Sequence, residues 1–346
     1  MFDFVKAKQV GYFFILLGIM IFTITHTCEA QDRWDKVMNL KGYWKFSIGD
    51  SKKWSDPKYS DSEWESIEVP SNWEDEGFNG YNGYAWYRKT FDGADLEGSK
   101  LNYSLFLGYI DDVDEVYLNG HKIGFSGTFP PKFHTAYSAA RNYSIPTEYI
   151  NFNGKNLIAV RVFDSEISGG IVSGDIGIFI NENDRDLTIN LRGLWDFTVE
   201  ERVSGNSDNS EFLNTDRHKP PADSRWSKIT VPGEWEHQGY NNFNGTGWYR
   251  RQFIIPKELE GEDLILMLGK IDDFDHAYFN GKWLGSTAYH DRLRFYTISS
   301  ELFTAGAMNI LLVYVKDTGE RGGIYEGPIG IMKQTDFTRY YRKRNR

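Results

Sequence analysis

Short apolar runs separated by Gly, Pro, Asn and Asp follow one another along most of this chain. "LNYSLFL" (Leu101–Leu107) and "LILML" (Leu264–Leu268) are two of them, and "IAVRVF" (Ile158–Phe163) is rich in β-branched residues that fit a pleated, half-buried surface. "VYLNGHKIG" (Val116–Gly124) reads as two strands meeting at an Asn-Gly turn. No such run shows a long 3.6-residue period bounded by caps, so the elements expected are strands. One apolar run differs. "GYFFILLGIMIFTI" (Gly11–Ile24) follows Lys6 and Lys8 and precedes "THTCEAQD", the pattern of a secretory signal. It is shorter than the ~20 apolar residues of a comfortable membrane span. Cleavage after Ala30 would remove Cys28, the only cysteine, leaving no thiol or cysteine metal site. Export to the periplasm or medium is therefore expected; the alternative is a lipoprotein anchored through Cys28.

The same strands occur twice. "NLKGYWKFSI" from Asn39 is answered by "NLRGLWDFTV" from Asn190, and "WESIEVPSNWEDEGF" from Trp64 by "WSKITVPGEWEHQGY" from Trp226. "GYAWYRKTF" (Gly83–Phe91) matches "GTGWYRRQF" (Gly245–Phe253), and "GYIDDVDEVYLNGHKIG" from Gly108 matches "GKIDDFDHAYFNGKWLG" from Gly269. Asp164 and Asp317 close the last equivalent strands, and "GGIVSGDIGI" and "GGIYEGPIGI" follow. A repeat in fixed order predicts a duplicated module. The expected division is a signal at 1–30, modules at 31–182 and 183–334, and a frayed basic tail at 335–346. Several short strands per module, with turn residues between them, predict two tandem jelly-roll β-sandwiches. A length of 346 residues accommodates two such domains. The net charge of −10 argues against nucleic acid or an anionic membrane surface as partner.

The motif order L-x-G-x-W-x-F, V-P-x-x-W-E-x-x-G, W-Y-R-x-x-F, Tyr-x-Asn-Gly and a glycine-rich acidic loop resembles the N-terminal sugar-binding domain of family 2 glycoside hydrolases. Ile-Asp-Asp-x-Asp with its Asn-Gly turn is also similar to the jelly roll of sialate O-acetylesterases. The resemblance implies a galactose-binding-like fold and a carbohydrate ligand, with the catalytic carboxylates of that family carried by a separate barrel. A (β/α)₈ barrel needs ~250 residues, and the two modules already take Asn39 to Ile331. The expectation is a non-catalytic, oligo- or polysaccharide-binding accessory protein of bacterial polysaccharide degradation. The alternatives are a shortened family 2 glycoside hydrolase or subunit acting with a partner, and a docking module for a separate glycoside hydrolase or esterase.

Three features are candidate sites. In the acidic phrase, Asp111, Asp112 and Asp114 recur as Asp272, Asp273 and Asp275. Period-two alternation puts the first aspartate of each set opposite the other two. Such oxygens could hold calcium, or the carboxylates could pair with Arg88 and Arg250 as framework, since an unpaired buried carboxylate is costly; framework is the expectation. The aromatic residues Tyr81, Tyr84, Trp86, Tyr240, Phe243 and Trp248 border glycine-rich stretches and suit the apolar faces of sugars; the tyrosines and Phe243 are expected to be exposed, whereas tryptophans at such positions also pack cores. The resemblance carries Asp164, Asp317, Glu320 and Arg321 of the last loop over as sugar contacts. Gly49-Asp50-Ser51 with Asp273 and His276, and Asn181-Glu182, imitate hydrolase motifs, but neither recurs in its sister copy and no catalytic residue is assigned.

Overall fold

A computed structural model describes residues 33–98, 101–200, 219–319 and 321–344. The signal stretch, Cys28, Glu320 and most of the polar insertion after Glu200 lie outside the described residues. Before the linker come β1 (Trp34–Asn39), β2 (Gly42–Ile48), β3 (Glu65–Val69), β4 (Gly83–Asp92), β5 (Tyr103–Asp111), β6 (Val113–Leu118), β7 (His121–Ser126), β8 (Ala140–Ile145), β9 (Lys155–Asp164) and β10 (Gly170–Asn181). After it come β11 (Ile189–Asn190), β12 (Gly193–Glu200), β13 (Ser227–Val231), β14 (Thr246–Ile254) and β15 (Leu264–Asp272). β16 (Phe274–Phe279), β17 (Lys282–Thr287), β18 (Leu293–Ile298), β19 (Met308–Lys316), β20 (Gly323–Lys333) and helix α1 (Gln334–Arg344) complete the chain.

Among the described residues these strands form four antiparallel sheets. Their orders are β1-β10-β5-β8 and β3-β2-β4-β9-β6-β7, then β11-β20-β15-β18 and β13-β12-β14-β19-β16-β17. The all-β expectation stands, but two tandem jelly-roll sandwiches do not. A jelly roll folds eight strands into two sheets, whereas this chain lays out four small antiparallel sheets in the manner of a four-bladed β-propeller. Short alternating runs report strands and turns; they do not report how many strands join each sheet.

Each half has its own apolar core. In the first, Trp44, Phe46 and Val160 of the six-stranded sheet meet Leu105, Ile110 and Ile178 of the four-stranded one. In the second, Trp195, Phe197 and Val313 meet Leu266, Ile271 and Ile329. Each such side chain contributes roughly 1.5–3 kcal/mol on burial. The Asn-Gly pairs make the tight hairpins β6–β7 and β16–β17, with Asn119 and Gly120 at φ of 50° and 86°, and Asn280 and Gly281 at 47° and 78°. Asn119 also donates to the Asn156 side chain at 2.8 Å and accepts from the Leu157 amide at 2.8 Å. Asn280 does the same with Asn309 and Ile310. The asparagine therefore fixes both the turn and the neighbouring strand.

The described part of the basic tail is not frayed: it forms α1, with Phe337 and Tyr340 packed against Met267 and Phe295. Its charges hid this apolar stripe. The linker is also packed, for Asp184 is buried and lies 3.3 Å from the Arg192 guanidinium. The halves meet directly where the Gly127 amide donates to the His237 carbonyl at 2.6 Å and the Thr230 hydroxyl to the Phe125 carbonyl at 3.3 Å.

Candidate functional site

The acidic phrase is a crossing between sheets and not one alternating strand. β5 ends at Asp111 in the four-stranded sheet, and β6 begins at Val113 in the six-stranded sheet. Asp114 then points inward and is fully buried against Arg141 of β8, with Nε to Oδ1 at 2.8 Å. The other four N–H groups of Arg141 reach the carbonyls of Ala136, Ala139, Ile110 and Asp112, so all five donors are used. Tyr143 donates to the second Asp114 oxygen at 2.6 Å. Asp275 repeats this with Arg294, the carbonyls of Tyr289, Arg292, Ile271 and Asp273, and the Tyr296 hydroxyl. Burial drives both carboxyls upward, against the pull of arginine and tyrosine.

The framework role is therefore real for Asp114 and Asp275, but its partners differ from those expected. Arg88 pairs with Asp61 at 2.9 Å and Arg250 with Asp196 at 3.0 Å, both on the outer side of their sheets. The inward arginines come from β8 and β18, where "RNYSI" and "RFYTI" share the pattern Arg-x-Tyr-Ser/Thr-Ile, a repeat that sequence reasoning missed.

The remaining aspartates gather with the last loop. Carboxylate oxygens of Asp111, Asp112 and Asp164 lie within 4.8 Å of one another, as do ligand atoms of Asp272, Asp273 and His290. Asp112 already accepts from the Ser165 amide and hydroxyl at 3.0 and 2.8 Å, and from the Thr135 hydroxyl. Asp273 likewise accepts from the Thr318 amide and hydroxyl. Burial and the neighbouring Asp112 push Asp111 up to about 7, while burial and Asp273 push Asp272 up to about 8. Calcium takes six to eight oxygens. Three side chains per cluster, with the oxygens of Asp112 engaged by protein donors, fit a shared proton better than that ion. Asp114 and Asp275 are committed to arginine and belong to neither cluster.

The conserved spacing of V-P-x-x-W-E and Gly-Gly-Ile has a packing cause. A Cβ on Gly169 would lie 2.1 Å from the Trp73 ring, and one on Gly322 would lie 2.3 Å from the Trp235 ring. Glu74 and Glu236 accept from the amides of the same two glycines. Trp73 and Trp235 are thus core residues clamped beneath the last loop. Asp164 and Asp317 sit at the base of that loop, buried, and burial raises each carboxyl to about 6. The second oxygen of Asp317 makes no hydrogen bond. Arg321 is exposed and pairs with Glu234 at 3.0 Å.

Most of the expected aromatic contacts are packing residues. Trp86 is buried beneath Trp54 and Trp64, with Nε1 donating to Asp50 at 3.1 Å. Trp248 is buried with Tyr278 and Tyr314, donating to Glu200 at 2.9 Å. Both lie on the outer face of their sheets, which loops and neighbouring strands cover. Tyr81 edges against Trp73 and donates to the Tyr84 carbonyl. Tyr240 and Phe243, expected to be exposed, pack on Phe197 and Trp235 at the margin of the second core.

Of the expected aromatic contacts, Tyr84 belongs to a half-buried aromatic platform, whose rings are partly covered by one another and by Arg161. Its ring stacks on Phe129 at 5.9 Å and meets Phe163 at 4.8 Å, with Phe133 beyond. The Arg161 guanidinium lies 4.8 Å from the Tyr84 ring and 4.1 Å from the Phe129 ring, held by Asp50 and Glu115. Tyr84 and Phe163 are directly paired across β4 and β9, and Asp164 is the next residue. Platform and carboxylates therefore share one end of the six-stranded sheet. Phe163 and Arg161 could have been found from strand alternation, since they flank inward-facing Val162 and point out with Tyr84. Phe129 and Phe133 lie in "GTFPPKFH", which has no counterpart after β17. The equivalent pair in the second half is Thr246 and Lys316. Of the hydrolase-like motifs, Asp50 is used by Arg161 and Trp86, His276 is buried beside Trp283, and Glu182 faces Arg33.

These features define an all-β chain, and comparison with known proteins names its relatives. Residues 49–166 match the family model described as the β-galactosidase second all-β domain. The chain is 35% identical over 159 residues to a putative β-glucuronidase of Formosa agariphila, covering 42% of this chain and 14% of that protein. It is 28% identical over 151 residues to the β-galactosidase BoGH2A of Bacteroides ovatus, covering 40% of this chain and 16% of that one. Among solved structures, a Bacteroides uniformis β-glucuronidase aligns over 84% of this chain and 28% of its own, at 16% identity and a TM-score of 0.38. The chain thus carries a domain related to family 2 glycoside hydrolases, and it spans about one seventh of the curated relatives' length. No helix among the described residues is long and apolar enough to cross a membrane.

Proposed function

We propose that this protein is exported and binds carbohydrate without cleaving it, serving a glycoside hydrolase or esterase of polysaccharide breakdown. The observation that carries the reading is the Tyr84–Phe129–Phe163 platform beside Asp164 and the Ser165 loop. Flat rings offer a surface to sugar C–H groups, and the exposed Ser165 and Glu166 of the following loop offer hydrogen bonds to sugar oxygens. The first half is then the binding half, because Thr246 and Lys316 replace the paired rings in the second. Isothermal titration of the full chain and its Tyr84→Ala variant against oligosaccharides tests this. Loss of binding with an unchanged melting curve supports the platform, and equal binding by both proteins refutes it.

A second reading is a glycoside hydrolase of family 2 type, or a subunit of one, favoured by the names of the curated relatives. Against it stands the engagement of Asp112 and Asp273 with the hydroxyls and amides of Thr135, Ser165 and Thr318. Hydrolysis of aryl β-glucuronides or β-galactosides that disappears in Asp164→Asn would establish this reading instead.

A further inference from the structure

Two of the four platform rings, Phe129 and Phe133, ride on the connection between β7 and β8. That connection spans 13 residues, 127–139, whereas five residues, 288–292, join β17 to β18. The extra length supplies rings that the second half lacks, and it also reaches across to that half. Its C-terminal part is held by the first half. The Thr135 hydroxyl donates to the Asp112 carboxylate, the Ala136 amide donates to the Asp112 carbonyl, and the Ala136 and Ala139 carbonyls accept from Arg141. Its N-terminal part is held differently. Thr128 and His134 exchange backbone hydrogen bonds, at 3.0 and 3.1 Å, and so close a clasp around the five residues that carry both rings. Each of these two clasp residues touches the second half. The Thr128 methyl fits over Gly239, where a Cβ would lie 2.4 Å from it, and Asn241 Nδ2 lies 3.2 Å from His134 Nδ1.

The repeat supplies an internal comparison. Gly239 ends the turn after Trp235 at a φ of 95°, and its counterpart Gly77 does the same after Trp73 at 103°. The turn alone therefore asks for glycine in both copies. A Cβ on Gly77 would meet nothing within 4 Å, so the close approach of Thr128 is a demand made on the second half only. Phe129 and Phe133 are half-buried and have no core beneath them beyond Tyr84, Phe163 and Arg161. Freedom left to such rings must be given up when a ligand settles on them, and affinity falls accordingly. Contacts that fix the clasp before binding remove that loss.

We infer that the second half is a positioning module for the platform: Gly239 and Asn241 hold the Thr128–His134 clasp, and with it Phe129 and Phe133, in the arrangement that receives a ligand. The inference rests on the carbohydrate-binding reading. Its test is Asn241→Ala in the full chain, a change at an exposed position. Hydrogen exchange should quicken about fivefold or more at the Thr128 and His134 amides and stay unchanged at Ala136, which the first half holds. Isothermal titration with trisaccharides of galactose, glucose, mannose, xylose and galacturonic acid gives the second readout. The trimer that wild-type protein binds should bind about three- to tenfold more weakly, the equivalent of one hydrogen bond, at an unchanged melting temperature. His134→Ala should match this loss, and the double variant should lose no more, because the two side chains share one contact. Gly239→Ala is an independent variant, which displaces Thr128 and should weaken binding further. Wild-type exchange and affinity in both Asn241→Ala and Gly239→Ala overturn the inference and leave the platform standing. Faster exchange at unchanged affinity overturns it too, and so does a loss of affinity that only follows a fall in melting temperature. Absence of wild-type binding to every trimer removes the positioning role and the parent reading together.

Discussion

Replacing Asp114 by Asn should be among the most destabilising single changes in the first half that leave no cavity. The variant keeps side-chain volume and the Tyr143 contact but withdraws the negative charge from a fully buried Arg141. Breaking a buried pair by removing one partner typically costs about 3–5 kcal/mol, because the other charge is left uncompensated. Arg141→Met should cost more. It strands the Asp114 carboxylate and also the carbonyls of Ile110, Asp112, Ala136 and Ala139, each worth about 1 kcal/mol or more when buried without a donor. Those carbonyls belong to both the β5–β6 crossing and the loop before β8, so both sheets would loosen at one point. Urea unfolding followed by tryptophan fluorescence gives the difference directly, and Asp275→Asn supplies the matching measurement in the second half. Asp114→Asn within about 0.5 kcal/mol of wild type, the ordinary range for surface changes, would refute the argument. It would mean that the carboxyl is already protonated in the folded protein.

Trp86→Ala and Trp248→Ala should lower stability by about 3–5 kcal/mol, which the same urea curves would show, because both rings are buried. Burial and like-charged neighbours raise Asp111 to about 7, Asp272 to about 8, and Asp164 and Asp317 to about 6. Carboxyls raised in the folded state stabilise below their unfolded values and lose that contribution as pH climbs through 6–8. The melting temperature should therefore rise from pH 8.5 to pH 5.5, and Asp111→Asn should flatten the rise. Glu115 has the opposite sign: burial pushes it up, but Lys122 and Lys52 bring it down to about 2, so its contribution is lost as pH falls from about 4.5 towards 2. Glu115→Gln should blunt that acid limb. Calcium at millimolar concentration should leave the melting temperature unchanged; a rise abolished by Asp112→Asn would make the Asp111–Asp112–Asp164 cluster a cation site.

Much of the strand content could be read from the chain, because Asn-Gly turns and apolar runs act locally. The same holds for the importance of the acidic phrase, since a buried carboxylate needs a partner. Which arginine answers it was not read, although Arg-x-Tyr-Ser/Thr-Ile recurs at Arg141 and Arg294. Arg88 stands in a memorable Trp-Tyr-Arg motif but faces outward, whereas Arg141 is brought to Asp114 only by the pairing of β5 with β8. The tryptophans were ambiguous for a related reason. Strand alternation places Trp86 on the outer face, and only the fold shows that Trp54 and Trp64 cover it. The platform was half visible: Tyr84 was marked by its glycines, while Phe129 arrives from a loop 45 residues later in the chain. Sheet membership, and with it the four-sheet layout, depends on contacts between strands distant in sequence, which periodicity does not record.

The account depends most on whether this chain binds sugar at all. Full-length protein applied to an array of immobilised plant, algal and bacterial glycans should retain a defined set of saccharides. Tyr84→Ala should lose part or all of that signal while melting like wild type. An array on which wild-type protein, folded by circular dichroism, binds no glycan above background would contradict the account.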